Sequence, residues 1–194
     1  RRDILIVPNA LDLSNLSGQT ICEVKEKKRD TIDLVYWGHL TPAWFDWDLI
    51  INVATRRKDF RFHIIGYGED ENIRNYLPNN VILYGKISPS ELVNYVYDKD
   101  VAIIPFKQSK LSSVVDPIKL YEYHYYGLPT VATGVKIHEG FDYTFLAYNE
   151  KSFIEMVMQA SNLHVDPDVM RNYILNNHTY EHRVLQILHR LGGS

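Results

Sequence analysis

VAIIPFKQSKLSSVVDPIKLYEYHYYGLPTVAT, residues 101–133, decides the fold. Val101, Ala102, Ile103 and Ile104 form a continuous apolar run of the kind buried on both faces of a parallel sheet. A polar loop follows over 107–115, and Asp116 is placed to cap a helix whose first residue is Pro117, since a carboxylate accepts from free amides and proline is preorganised for the first turn. Gly127 and Pro129 close that helix, and Thr130, Val131, Ala132 and Thr133 read as the next strand. Strand, loop, helix and strand in this order make a βαβ unit, whose two strands pair in parallel.

The alternation continues on both sides. Residues 32–36 read as a strand, and Trp47, Ile50, Ile51 and Ala54 recur at the spacing of an amphipathic helix. Further strands are expected over 61–65, 81–84 and 143–147. Helices are expected over 71–77, 151–161, 167–175 and 179–191, the last capped by Thr179. Ser88, Pro89 and Glu91 offer an N-cap, a proline at N1 and a capping-box carboxylate. The pattern predicts an α/β fold, a three-layer αβα Rossmann-like domain with a parallel sheet of about six strands. Before it, Ile4, Leu5, Ile6 and Val7 read as a short strand and 11–30 as a polar connector. The expected organisation is a leading segment 1–30, a Rossmann-like domain 31–178 and a C-terminal helix with tail 179–194.

With 194 residues, 45% of them hydrophobic, the chain can bury one sizeable core. Its 21 basic and 24 acidic side chains give a net charge of −3, with no Lys/Arg concentration that would track a phosphate backbone, so no nucleic-acid partner is expected. Cys22 is the single cysteine, which excludes an intrachain disulfide framework and fits a reducing compartment. No apolar run approaches the roughly 20 residues that span a bilayer. The opening Arg1-Arg2-Asp3 reads as a boundary within a longer protein. His63, His138, His164, His178, His182 and His189 lack ligand spacing, so no metal site is expected. Gly66 and Gly68 form a GxG without the continuation that a hydride-transfer cofactor requires.

Open parallel sheets bind ligands beyond the carboxyl ends of their strands. The helix that starts at Pro117 therefore points its free amides and positive dipole at that crevice, where Lys119 adds a full charge, and the combination suits a pyrophosphate. Glu122 follows on the same face about 4.5 Å further along the axis. A carboxylate there can accept both hydroxyls of a neighbouring ribose. An i, i+3 surface ion pair between Lys119 and Glu122 is the competing reading. Tyr121, Tyr123, Tyr125, Tyr126 and His124 read as packing residues.

Residues 115–133 resemble the NPxKxxEYxAxGxPVVAT pattern of retaining GT-B glycosyltransferases that build bacterial envelope polysaccharides. The resemblance extends to YWGHLTPAWFDWDLI (36–50), IIGYGED (64–70), VILYGKISPSEL (81–92) and VAIIPF (101–106), and IVPNALD (6–12) is similar to the end of that family's N-terminal domain. It implies a donor-binding half of a hexosyltransferase that acts on a UDP- or GDP-linked sugar and a saccharide or lipid-linked acceptor. The acceptor-binding half would lie outside this chain, which assigns no catalytic residue and no cofactor here. By position, Glu122 would bind the ribose, while Gly38 and His39 would admit the diphosphate or the sugar. Gly85, Lys86 and Ile87 would meet the base. Asp116, Pro117, Lys119 and Leu120 would surround the diphosphate, and Ser112 and Ser113 would face the transferred sugar. Two departures stand out: Val114 replaces the family's earlier Glu, and His39 stands where an Arg/Lys pair usually neutralises the leaving group, a role that falls to Lys119 or Lys107. A cytoplasmic location is implied, with any peripheral membrane association through the missing half. A GT-B-fold sugar-nucleotide epimerase and a degenerate, non-catalytic binding module remain as alternatives.

Overall fold

A computed structural model describes residues 4–16 and 30–192. Six parallel strands, β1 (Ile32–His39), β2 (Phe60–Tyr67), β3 (Val81–Gly85), β4 (Val101–Pro105), β5 (Thr130–Thr133) and β6 (Thr144–Ala147), form one sheet in the order β3-β2-β1-β4-β5-β6. The helices are α1 (Trp47–Arg56), α2 (Pro89–Val96), α3 (Ile118–Tyr125), α4 (Glu150–Ser161), α5 (Pro167–Asn177) and α6 (Tyr180–Arg190). The chain is thus the Rossmann-like α/β fold that the alternation predicts.

Strand order explains the layering. The crossover β1–α1–β2 moves one way along the sheet and β4–α3–β5 the other, and right-handed crossovers put α1 and α3 on opposite faces. α4 packs beside α1, and α5 beside α3. All five residues of β4 are buried, the signature of a strand covered on both faces. The order reverses between β1 and β4, so the crevice at their carboxyl ends is the topological switch point. The tyrosines of α3 serve the core as expected: Tyr121 and Tyr123 are fully buried, and His124 lies beside Phe141 with its Nε2 2.9 Å from the Thr144 hydroxyl.

Several local expectations are corrected. Residues 4–7 are not a strand; Ile4 and Ile6 are exposed, and a four-residue apolar run has no sheet edge to join where this segment lies. The segment is held further on, where Leu11 bridges Thr179 in parallel and its N–H donates to the His178 carbonyl (2.7 Å). Arg183, buried on α6, donates to the carbonyls of Pro8 and Asn9 and to His178 Nδ1 (2.7 Å). A guanidinium only donates, so the His178 ring proton sits on Nε2. Residues 71–76 form a 3₁₀ helix rather than an α-helix. Ser88 does occupy the N-cap of α2 ahead of Pro89, but its hydroxyl donates to the Glu91 carboxylate instead of capping an amide. Thr179 caps α6 as expected. Cys22 and most of the expected connector lie outside the described residues.

Candidate functional site

The site is built where β1 ends and α3 begins. α3 starts at Ile118, with Pro117 at the N-cap and no side chain capping it. Asp116 is therefore not the cap. Its carboxylate accepts the Asn9 N–H (2.7 Å) and the Tyr121 hydroxyl, while its carbonyl accepts the Asn9 side-chain amide (2.6 Å). It ties the leading segment to the base of α3.

Lys119 extends from the first turn of α3 beneath the end of β1. A Cβ added at Gly38 would stand 2.1 Å from Lys119 Cε and 2.6 Å from its Nζ. The ammonium lies 5.7 Å from the centre of the Tyr36 ring. One turn on, the Glu122 carboxylate accepts the Trp37 indole N–H at 2.7 Å. Burial pushes the Glu122 pKa up, against the Trp37 hydrogen bond and the nearby Lys119 charge. Burial pushes Lys119 down, against the attraction of Glu122. The two residues are thus half-sunk partners at the floor of a crevice, not a solvated surface pair. Beside them β1 and β2 run close enough that Gly38 and Gly66 are register partners, and a Cβ at Gly66 would meet the Gly38 carbonyl oxygen at 1.8 Å.

Glu122 borders a cavity of about 460 Å³, whose walls also include Trp37, Gly38, His39, Tyr67, Lys86, Ile87 and Tyr126; Lys119 lies behind Gly38 rather than in its lining. His39 packs edge-on to Tyr67 (5.1 Å), and Lys86 Nζ lies 5.5 Å from the Tyr67 ring centre. Gly85, at positive φ, opens the turn that carries Lys86 and Ile87. The structure therefore brings Gly38, His39, Lys86, Ile87, Lys119 and Glu122 together. A cavity of this size with few polar groups converging on it fits a small ligand with an apolar ring and a polar edge.

Other sequence-derived candidates lie elsewhere. Leu120 is buried in the core, and its N–H is bonded to the Pro117 carbonyl. Ser112 is buried and donates to the Lys107 carbonyl (2.8 Å), which shapes the loop. Lys107 is exposed, and Ser113 lines a separate cavity of about 410 Å³ with Gln108, Lys110 and Tyr148, at the carboxyl ends of β4, β5 and β6. Val114 is exposed. Sequence reasoning missed Trp37 and Tyr67. Both stand beside strand-end glycines, and that neighbourhood was the available signal. Among the described residues no cluster of His, Cys, Asp and Glu is arranged to hold a metal, and no helix is long and apolar enough to cross a membrane.

Residues 31–162 match the family "Glycosyl transferases group 1". The chain belongs to this family. A Bacillus subtilis (strain 168) protein provisionally named teichuronic acid biosynthesis glycosyltransferase TuaH is 31% identical over 112 residues, covering 55% of this chain and 28% of that protein. A 41.2 kDa protein from the cps region of Klebsiella pneumoniae is 24% identical over 174 residues, covering 84% and 47%. The chain thus spans less than half the length of either relative. Among solved structures, AviGT4, a glycosyltransferase involved in avilamycin A biosynthesis, superposes with a TM-score of 0.70 at 12% identity, over 98% of this chain and 57% of that one. S. aureus TarM, solved with fondaparinux, α-GlcNAc-glycerol and UDP, gives 0.62 at 17% identity over 89% and 38%. Anabaena HepE with UDP and glucose gives 0.59 at 13% over 85% and 49%. At these identities the likeness establishes the shared fold.

Proposed function

We propose that this group 1 glycosyltransferase chain holds the nucleoside-diphosphate end of a nucleotide-sugar donor in the crevice between β1, β2, β3 and α3. The observation that carries the reading is a 460 Å³ cavity at the switch point that is lined by Gly38 and Glu122, with Lys119 directly behind Gly38. Glu122 accepts the ribose diol, the turn 85–87 meets the base through its main chain, and the side-chain-free Gly38 lets the diphosphate approach Lys119. A departing nucleoside diphosphate carries negative charge that builds in the transition state, and the Lys119 ammonium, held in a partly desolvated setting, stabilises it there. Two structural neighbours were solved with UDP, which makes UDP the first ligand to test.

The full reaction in this proposal is retaining transfer of a hexose to a saccharide or lipid-linked acceptor in bacterial envelope polysaccharide synthesis. The acceptor would be bound by a further domain of the same protein. The apolar residues Val184, Leu185 and Leu188 that α6 leaves exposed are a surface on which such a domain can rest. Asp116 and Pro117 would act by setting the start of α3, and Ser113 and Lys107 would reach the sugar from the loop before it. A second reading, a nucleotide-sugar-binding module without transfer activity, is favoured by exposed Val114, which stands where the family carries a glutamate.

Calorimetric titration with UDP, GDP and their glucose conjugates tests the binding reading. Glu122→Ala removes two charge-assisted hydrogen bonds, and affinity is expected to fall about 10- to 100-fold. A wild-type chain that binds none of these nucleotides refutes the reading. Binding without transfer by the full-length protein decides for the module.

A further inference from the structure

The Trp37 indole is 7% exposed and fixed by two rings of the helix that bears Glu122: Tyr123 meets it edge-on at 4.3 Å, and Tyr126, just past the end of α3, at 5.7 Å. Its Nε1–H, a group that can only donate, is spent on Glu122 Oε2 at 2.7 Å. Trp37 also stands directly before Gly38, so one strand end supplies both the opening for the ligand and the donor that holds the carboxylate.

We propose that Trp37 is a positioning residue that makes the site selective for ribose over 2′-deoxyribose by locking Glu122. A glutamate side chain has three rotatable bonds and a carboxylate with about four acceptor positions. Left free in this crevice it would have only the attraction of the Lys119 charge to orient it. With Oε2 pinned by the indole, the carboxylate plane is set, and Oε1 with the remaining lone pair of Oε2 is presented to the vicinal diol. The bond also favours the charged form that accepts from both hydroxyls. The inference rests on the reading of Glu122 as the ribose-binding residue. The other titratable groups are His39 at the end of β1, Lys86 after β3 and the phenols of Tyr67 and Tyr126, which line the cavity, with Lys119 behind Gly38 and the buried Tyr123 phenol on α3 close by.

The test compares UDP with 2′-deoxy-UDP on the full chain, as wild type and as Trp37→Phe, which keeps an aromatic ring and removes the N–H. Wild type is expected to prefer UDP. Trp37→Phe is expected to lose about tenfold in UDP affinity and clearly less for the deoxynucleotide, which offers the carboxylate only its 3′-hydroxyl. The pH at which UDP binding fails on acidification is expected to move upward in the variant. Equal losses for both nucleotides, or no loss, overturn the role of Trp37. Wild type that binds both equally refutes the ribose role of Glu122, and wild type that binds neither refutes the donor-site reading itself, so the failures are separable. If Trp37→Phe fails to fold, the wild-type indole N–H resonance carries the test. Of the three tryptophan signals, one is expected to shift on UDP binding and to move in Glu122→Gln. If none moves in Glu122→Gln, the proposal falls.

Discussion

Replacing Gly38 with alanine puts a methyl group where the Lys119 side chain already lies. The added Cβ would stand 2.1 Å from Lys119 Cε, 2.6 Å from Nζ and 3.3 Å from the Tyr36 hydroxyl oxygen, and the backbone there has φ +141°. Two costs follow. The backbone one, for a side chain at a φ that L-residues rarely adopt, is about 1–2 kcal/mol and stays whatever its neighbours do. The steric one falls on a flexible lysine that can be driven off its rotamers at a further cost of about 1 kcal/mol. Gly38→Ala should therefore lose about 2–3 kcal/mol in urea denaturation. In a Lys119→Ala background the methyl finds space, and the loss should drop to the backbone cost alone, a coupling of about 1 kcal/mol. Four proteins complete the cycle. Strictly additive losses would show that Lys119 does not lie under Gly38, and the geometry assigned to the diphosphate site would go with it.

Two further outcomes test the scaffold. His124 is buried, with its pKa pushed down to about 3 by burial and then by His178, so the native state holds it neutral. The unfolded chain takes up that proton below about pH 6.5. Its contribution to stability is therefore complete above that pH and is lost as pH falls towards 3, at up to about 1.4 kcal/mol per unit. Between pH 7 and 5, His124→Gln should show a shallower fall in urea midpoint than wild type, and identical slopes would refute the buried neutral histidine. Arg183→Ala strips donors from the Pro8, Asn9 and Asn177 carbonyls and should cost about 2–4 kcal/mol. Hydrogen exchange of the Leu11 and Tyr180 amides should accelerate in that variant; unchanged protection would mean that Arg183 does not hold the leading segment.

What was legible in the sequence was what repeats locally. The buried run at 101–104 and the Gly127 and Pro129 stop placed β4, α3 and β5, and with them Lys119 and Glu122, because strand and helix periods are written in adjacent residues. What was illegible depends on distant partners. Asp116 looks like a helix cap when only its neighbours are seen, yet besides the Tyr121 hydroxyl its carboxylate accepts the backbone N–H of Asn9, 107 positions away, and no amide of α3. Trp37 reads as one more strand aromatic until Glu122, 85 positions on, comes to its indole. The apolar run at 4–7 carries the letters of a strand, but a strand needs an edge to join, and no local pattern announces whether one is within reach.

The bridge between Leu11 and Thr179 has a mechanical consequence. It is parallel, so the chain passes both points in the same direction, with the whole sheet strung between them. A pull on the two flanks then drags the paired segments past one another lengthwise. The hydrogen bonds of the Leu11 and Tyr180 N–H groups and the Arg183 contacts would then take that load together instead of opening one after another. Strain applied from outside would meet this clasp before it reaches the strands.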